Sequence, residues 1–473
     1  MRLAIQTTSG TVRGVERDGV RVWKGIPYAE APVGALRFRP PHPPTPWSGE
    51  RDASRSGAVA VQGRESLMSG VGDKTTMSED CLSVNVYAPA DATGCPVVVW
   101  VHGGAFIMGS GSMPLYSGTS FAARHGIVVV TLNYRLGLLG LLYLGDLGGD
   151  EAGNACLLDQ VAALRWVADN IAAFGGNPAD VTVMGESAGA VAIANLLAMP
   201  AARGLFHRAI LQSGAAAFEP PTRADATALA TRVLADLGTD VAGLTDVPVD
   251  RLLALQATIG RERGLTAFSP YVDGVTVPRP PVAAVRAGAG ARVPILLGSN
   301  RDEWALFDTF LPETTTALQG VLRHRLGAEL DTIRAAYRSW NDLIGDVAFR
   351  IPMIRLAEAH PAPVYMYRFD VASPAFGGRL GAAHALELPM MWNRLDQPMA
   401  KLLLGADTAP FAGIALQLHD TWAAFITRGV PDGGGLPAWP RYDATRRATL
   451  LIDHVSRVVD DPDGAQRRLW SVL

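Results

Sequence analysis

The stretch Gly185-Glu186-Ser187-Ala188-Gly189 constrains this chain more than any other. It follows the β-type run Val181-Thr182-Val183-Met184 and precedes an alanine-rich, helix-like run over 190–199. A serine between two glycines at a strand-to-helix corner is a nucleophile elbow. The turn is sharp, so the serine backbone is driven toward a strained conformation. A side chain at position 185 or 189 would crowd that turn, which explains glycine at both. The corner lifts the Ser187 hydroxyl to the top of a sheet. It also sets the Ala188 N–H and a helix start beside it, where negative charge is stabilised.

The rest of the chain supplies the sheet this corner needs. Pro96-Val97-Val98-Val99-Trp100-Val101 and Ile127-Val128-Val129-Val130-Thr131-Leu132 are continuous apolar runs, as in parallel strands covered on both faces. Further strand-like runs are Ala209-Ile210-Leu211-Gln212, Val293-Pro294-Ile295-Leu296-Leu297-Gly298 and Val364-Tyr365-Met366-Tyr367-Arg368-Phe369. Leu157, Leu158, Val161, Leu164, Val167 and Ile171 recur in steps that mark an amphipathic helix, closed by Gly175. A late helix over 414–428 ends at Gly429 with Pro431 beyond. Near the start, Gly10-Thr11-Val12-Arg13-Gly14-Val15 and Val20-Arg21-Val22-Trp23 read as a hairpin joined at Asp18-Gly19. Strands alternating with helices predict an α/β fold around a mostly parallel sheet flanked by helices.

Length alone would allow about three domains. No Ser/Gly-rich tract, charge block or repeat divides the 473 residues, so the expectation is one domain spanning 1–473. Insertions at about 220–290 and 311–360, helical and irregular, are expected to cover the mouth of the site. With 48% hydrophobic and 18% charged residues the composition is that of a globular protein. A net charge of −3 offers no footprint for nucleic acid or an anionic membrane. No stretch approaches the roughly 18 apolar residues of a spanning helix, and Met1-Arg2-Leu3-Ala4-Ile5-Gln6 lacks a signal-peptide core. Three cysteines, Cys81, Cys95 and Cys156, are odd in number and far apart, which is no disulfide framework. A cytoplasmic location is expected. Metal chemistry finds no H-E-x-x-H or clustered Cys/His spacing, and no cofactor motif is present.

A serine nucleophile needs a base, an acid that orients the base, and oxyanion donors, in the chain order Ser, acid, His for this kind of corner. Gly298-Ser299-Asn300-Arg301-Asp302-Glu303 places two carboxylates just past a strand end. On residue type alone Asp302 and Glu303 compete. Of the nine histidines, five lie beyond Glu303. His324 sits among arginines, His360 at a helix end before Pro361, His419 inside the late helix and His454 near the C-terminus. Only His384, in Gly381-Ala382-Ala383-His384-Ala385-Leu386-Glu387, has a loop-like glycine before it and a carboxylate three residues after. His102-Gly103-Gly104-Ala105-Phe106 follows a strand end, where small residues let backbone N–H groups face a substrate carbonyl. His102 precedes the serine, breaks the order and is read as structural.

Phe174-Gly175-Gly176, then Val181, Val183 and the elbow resemble the serine signature of the type-B carboxylesterases. That family belongs to the α/β-hydrolase superfamily and includes the cholinesterases and bacterial p-nitrobenzyl esterases. The resemblance runs from about Gly10 to about Tyr442. It takes in Ser78-Glu79-Asp80-Cys81-Leu82, although no cysteine precedes Cys81 to form the bridge of secreted relatives. It implies Ser187, Glu303 and His384 as catalytic residues, and Gly104, Ala105 and Ala188 as oxyanion donors. The family often has glycine where Ala105 stands; alanine keeps the N–H. Ser213 and Glu387 match a pair that buttresses the histidine. Arg37 with Glu79, and Arg135 with Asp159, match two internal ion pairs. For Glu186 two readings stay open: strengthening the field on His384, or accepting local hydrogen bonds.

The implied activity is hydrolysis of small to medium uncharged carboxylic esters through an acyl-enzyme. The same machinery would serve amides, carbamates or acyl transfer. A silent binding protein on this fold is disfavoured by the full set of Ser, Glu and His. Oligomeric state is not legible.

Overall fold

A computed structural model describes residues 3–63, 76–149, 153–215, 220–264 and 267–470. An eleven-stranded sheet runs through it. In chain order its strands are β1 (Val15–Arg17), β2 (Val20–Pro27), β3 (Ser83–Pro89), β4 (Cys95–Val101), β5 (Val128–Leu132) and β6 (Gly176–Glu186). Then come β7 (Arg208–Gln212), β8 (Ile295–Asn300), β9 (Val364–Phe369), β10 (Ala448–Ile452) and β11 (Arg457–Asp460). Their spatial order is β11-β10-β9-β8-β7-β6-β4-β5-β3-β2-β1. From β5 across to β10 all neighbours are parallel. The outer pairs are antiparallel.

The apolar runs explain this sheet. Val97, Val99 and Val101 pack into one core, while Val98 and Trp100 pack into the core on the opposite face. In β5, Val128, Val130 and Leu132 join the first core and Val129 the second. A strand with no polar face is stable only when both faces are covered.

Helices supply that cover. They include α1 (Ala155–Asn170), α2 (Ala188–Ala198), α3 (Arg223–Leu237), α4 (Val249–Arg263), α5 (Pro312–Leu326), α6 (Ile351–Ala359) and α7 (Ala412–Arg428). Leu157, Val161, Leu164 and Val167 of α1 enter the first core. The helix tightens into a 3₁₀ turn over Ile171–Phe174, and Gly175 ends it at φ 87°. Gly429, at φ 73°, ends α7. The 220–290 stretch is helical and irregular, apart from 265–266, which lie outside the described residues. So do Met1 and Arg2 of the N-terminal reading.

Two ion pairs tie the layers, one buried and one partly buried. Arg135 meets Asp159 at 2.6 and 2.8 Å, fully out of solvent. Arg37 meets Glu79 at 2.5 and 2.7 Å and also donates to the carbonyls of Thr245 and Val247, anchoring the segment before α4. The N-terminal hairpin departs from expectation. β2 pairs with Val15–Arg17, whereas Thr11–Arg13 belongs to a separate three-stranded sheet. Gly14 divides the run, because a Cβ there would meet the indole of Trp23 at 2.5 Å.

Candidate active site

The carboxyl ends of β4, β6, β7 and β8 lie side by side. Val101 of β4 aligns with Gly185 of β6, Glu186 with Gln212 of β7, and Gln212 with Gly298 of β8. In open α/β sheets this rim is where ligands bind. Each sequence-predicted site residue follows one of these strand ends or meets it from a loop.

Ser187 links β6 to α2 with φ 56° and ψ −124°, a region that non-glycine residues occupy only under constraint. The constraint is the neighbouring strands. Its N–H donates to Gln212 O at 2.8 Å, and a Cβ on Gly185 would come within 2.8 Å of Val101 O. A Cβ on Gly189 would overlap the same carbonyl. Ser187 is partly exposed between buried Glu186 and Ala188. The first N–H groups of α2 have no partner within their helix and stand beside the serine.

Past β8, Glu303 is buried and fully engaged. Its Oε1 accepts the Asn300 N–H at 2.7 Å, and its Oε2 lies 2.6 Å from His384 Nδ1. The His384 N–H also reaches Glu303 O at 3.3 Å. Asp302 serves the loop instead: its Oδ2 accepts the Ala382 N–H at 2.8 Å and pairs with Arg301. Geometry thus separates the two carboxylates that residue type left in competition.

His384 Nε2 makes no hydrogen bond, although Glu186 Oε1 lies 3.0 Å away. Burial drives the Glu186 carboxyl up to about 8. Burial alone would lower the imidazole, but Glu186 and then Glu303 outweigh it, and His384 ends at about 9. Phe307 and Phe349 pack against the imidazole with ring centroids 5.2 and 4.7 Å away.

The glycine loop lies directly against the elbow. A Cβ on Gly103 would meet Glu186 O at 2.7 Å and Ser187 Cβ at 3.1 Å. Gly104, Ala105 and Phe106 all have positive φ, at 110°, 52° and 59°. This winding turns Gly104 O back to accept from Ile107 and Met108, both at 3.0 Å. Among the described residues, no backbone group accepts from the N–H of Gly104 or Ala105. His102 is structural in its contacts: its ring stacks on Tyr134 at 4.4 Å, and Nδ1 lies 2.8 Å from Gly103 O. Burial holds it neutral, at about 4.

Glu387 does not reach the imidazole. Its oxygens accept from Asn300 Nδ2 at 2.7 Å and Gln212 Nε2 at 3.0 Å. Ser213 is buried at φ 50°, its hydroxyl without a hydrogen-bond partner, and no hydrogen bond joins it to Glu387. Asn300 also donates to Ala383 O at 2.6 Å, directly beside His384. Sequence reasoning passed over Asn300 and Gln212, yet each is the last residue of a strand at this rim, which is a usable signal. Phe349 carries no such signal.

Among the described residues, no group of three or more His, Cys, Asp or Glu side chains is placed to hold a metal ion. Nor is any single helix long and apolar enough to cross a membrane. All three cysteines are free thiols, with Cys81 and Cys156 buried.

Known proteins with these features are numerous. The carboxylesterase family model matches residues 2–330 and 321–470. The para-nitrobenzyl esterase of Bacillus subtilis (strain 168) is 39% identical, over 98% of this chain and 97% of its own. A solved PNB esterase superposes with a TM-score of 0.92 at 37% identity, covering 99% of both chains. A Geobacillus stearothermophilus carboxylesterase does so at 0.89 and 39% identity, over 99% of this chain and 100% of its own. On fold, strand-end geometry and full-length similarity together, this chain belongs to the carboxylesterase family and is a serine carboxylic-ester hydrolase with the α/β-hydrolase fold.

Proposed function

We propose that Ser187, His384 and Glu303 carry out the hydrolysis, with Gly104, Ala105 and Ala188 as oxyanion donors. The contact that carries this reading is the 2.6 Å bond between His384 Nδ1 and Glu303 Oε2. It fixes the ring and leaves Nε2, which has no hydrogen bond, as the atom that exchanges protons. Neutral His384 takes the Ser187 proton as Oγ bonds to the ester carbonyl carbon. The oxyanion forms against the N–H groups of the glycine loop and the α2 start, each such donor contributing about 3–4 kcal/mol. Collapse breaks the bond to the alcohol oxygen, which leaves with the proton from His384. Water then attacks the acyl-enzyme by the same proton route and regenerates Ser187. Glu303 holds the ring and stabilises its charged form.

The substrates are small to medium uncharged esters. Two phenyl rings beside His384 offer apolar contact. The two helical insertions act as cover within one catalytic domain, a reading supported by Phe349 of the turn Asp346–Arg350 resting on the imidazole. Three free thiols support a reducing, cytoplasmic setting. Turnover of p-nitrophenyl acetate and butyrate by wild type and Ser187→Ala tests the assignment. A loss of at least about a thousandfold is expected; equal rates would overturn it.

A further inference from the structure

Helix α7 grips the histidine-bearing segment at two points outside the reaction chemistry. The Trp422 indole N–H donates to Gln212 Oε1 at 3.2 Å, and Gln212 in turn donates to Glu387. Three residues earlier, on the same helix face, His419 Nδ1 lies 2.8 Å from Met391 O. Its Nε2 lies 3.0 Å from Ser120 Oγ, on the short helix Thr119–His125. Glu387 and Met391 bracket the turn Leu388–Met391, which directly follows the His384 loop.

The Met391 carbonyl can only accept, so Nδ1 carries the proton and Nε2 accepts from the Ser120 hydroxyl. One neutral imidazole, 0% exposed, thus bridges three elements: the helix of Ser120, α7 and the segment behind His384. The charged and titratable groups around it are His125, its ring 5.0 Å away, Asp420 on α7, and Arg124, which pairs with Asp420 at 2.8 Å. Asn393 reaches Ser120 at 3.4 Å, and Phe121 packs on the ring at 4.0 Å. Burial keeps His419 at about 4, so the bridge stays uncharged at neutral pH.

We propose that His419 is a positioning residue for His384: by fixing Met391 O it sets where the catalytic imidazole stands against Glu303. The proposal rests on His384 being the general base. A misplacement of about 1 Å at a reacting group can cost about a hundredfold in rate. With the Glu303 and Asn300 bonds still in place, loss of this bridge is expected to cost about tenfold.

The test compares kcat, KM and the pH profile of kcat for p-nitrophenyl butyrate in wild type, His419→Ala, His419→Gln and His384→Ala. His419→Ala is expected to lower kcat about tenfold with KM within about twofold. Its acid limb should move to lower pH, because an imidazole loosened from Glu303 loses part of what raises it. His419→Gln can donate to Met391 O and accept from Ser120, and should restore kcat to within about twofold. Wild-type kcat and acid limb in His419→Ala, or no rescue by glutamine, would overturn the proposal. If His419→Ala does not fold, Ser120→Ala removes the other arm of the same bridge. Lower kcat at unchanged KM supports the proposal, and unchanged kcat overturns it. An active His384→Ala enzyme would instead overturn the general-base assignment beneath it.

Discussion

Glu186 Oε1 stands 3.0 Å from His384 Nε2, the ring nitrogen opposite the one that Glu303 holds. The imidazole therefore sits between two buried carboxyl groups, and Glu186 is the residue immediately before Ser187, the proposed nucleophile. For Glu186 this contact supports a role in the field on His384: it faces the ring, and its Oε1 has no hydrogen bond.

This arrangement sets the pH dependence. With His384 raised to about 9, the neutral base accumulates only on the alkaline side of an ordinary histidine. The acid limb of kcat/KM is expected to lie above pH 6.5, the usual imidazole value. Replacing Glu186 by Gln removes the largest influence holding the proton on the ring, so the limb should move down by about one pH unit. A limb that stays put, or moves up, in Glu186→Gln would show that the carboxylate does not act on the base.

The elbow stores strain that can be measured separately from activity. Ser187 at φ 56° and ψ −124° costs about 1–3 kcal/mol that glycine would not incur. Glycine gives back about 0.5–1 kcal/mol through its freer unfolded chain. Ser187→Gly is expected to be inactive and to melt about one to two degrees above wild type, whereas Ser187→Ala, sharing the strain, should melt near it. Thermal unfolding of the three proteins checks this; a glycine variant that melts lower than the alanine variant refutes it.

How far these residues were legible from sequence follows from how local each signal is. The elbow, the flanking strand β4 and the β5 run announce themselves within a few residues, because a fully buried strand must be apolar throughout and a sharp turn must be glycine. Gly14 was harder: its effect depends on Trp23 across the hairpin, so the run 10–15 read as one strand although it feeds two sheets. Asn300, Gln212 and Trp422 form a buried relay to Glu387 that depends on contacts between β7, β8 and α7, and no local pattern encodes such contacts. The family resemblance pointed at Ser213 and Glu387, but the partners of Glu387 emerge only in three dimensions.

A buried neutral histidine makes one contribution to stability that is lost toward acid pH. Burial depresses His102 to about 4, against about 6.5 in the unfolded chain. The unfolded state then binds a proton that the folded state refuses. This part of the stability is complete above pH 6.5 and is lost as pH falls toward 4, with a slope of about 1.4 kcal/mol per pH unit. On acidification from pH 6.5 to 4.5, wild type is expected to lose more of its thermal midpoint than His102→Gln. An identical slope in the variant would contradict this origin.

On the proposed route Ser187, activated by His384, forms an acyl-enzyme. Rapid mixing of excess p-nitrophenyl acetate with enzyme reads it directly. Wild type should release a burst of one p-nitrophenolate per chain where acylation outruns deacylation, as in the cold, and Ser187→Ala and His384→Ala should release none. A burst of unchanged size in Ser187→Ala would show that the acyl group is carried by another residue.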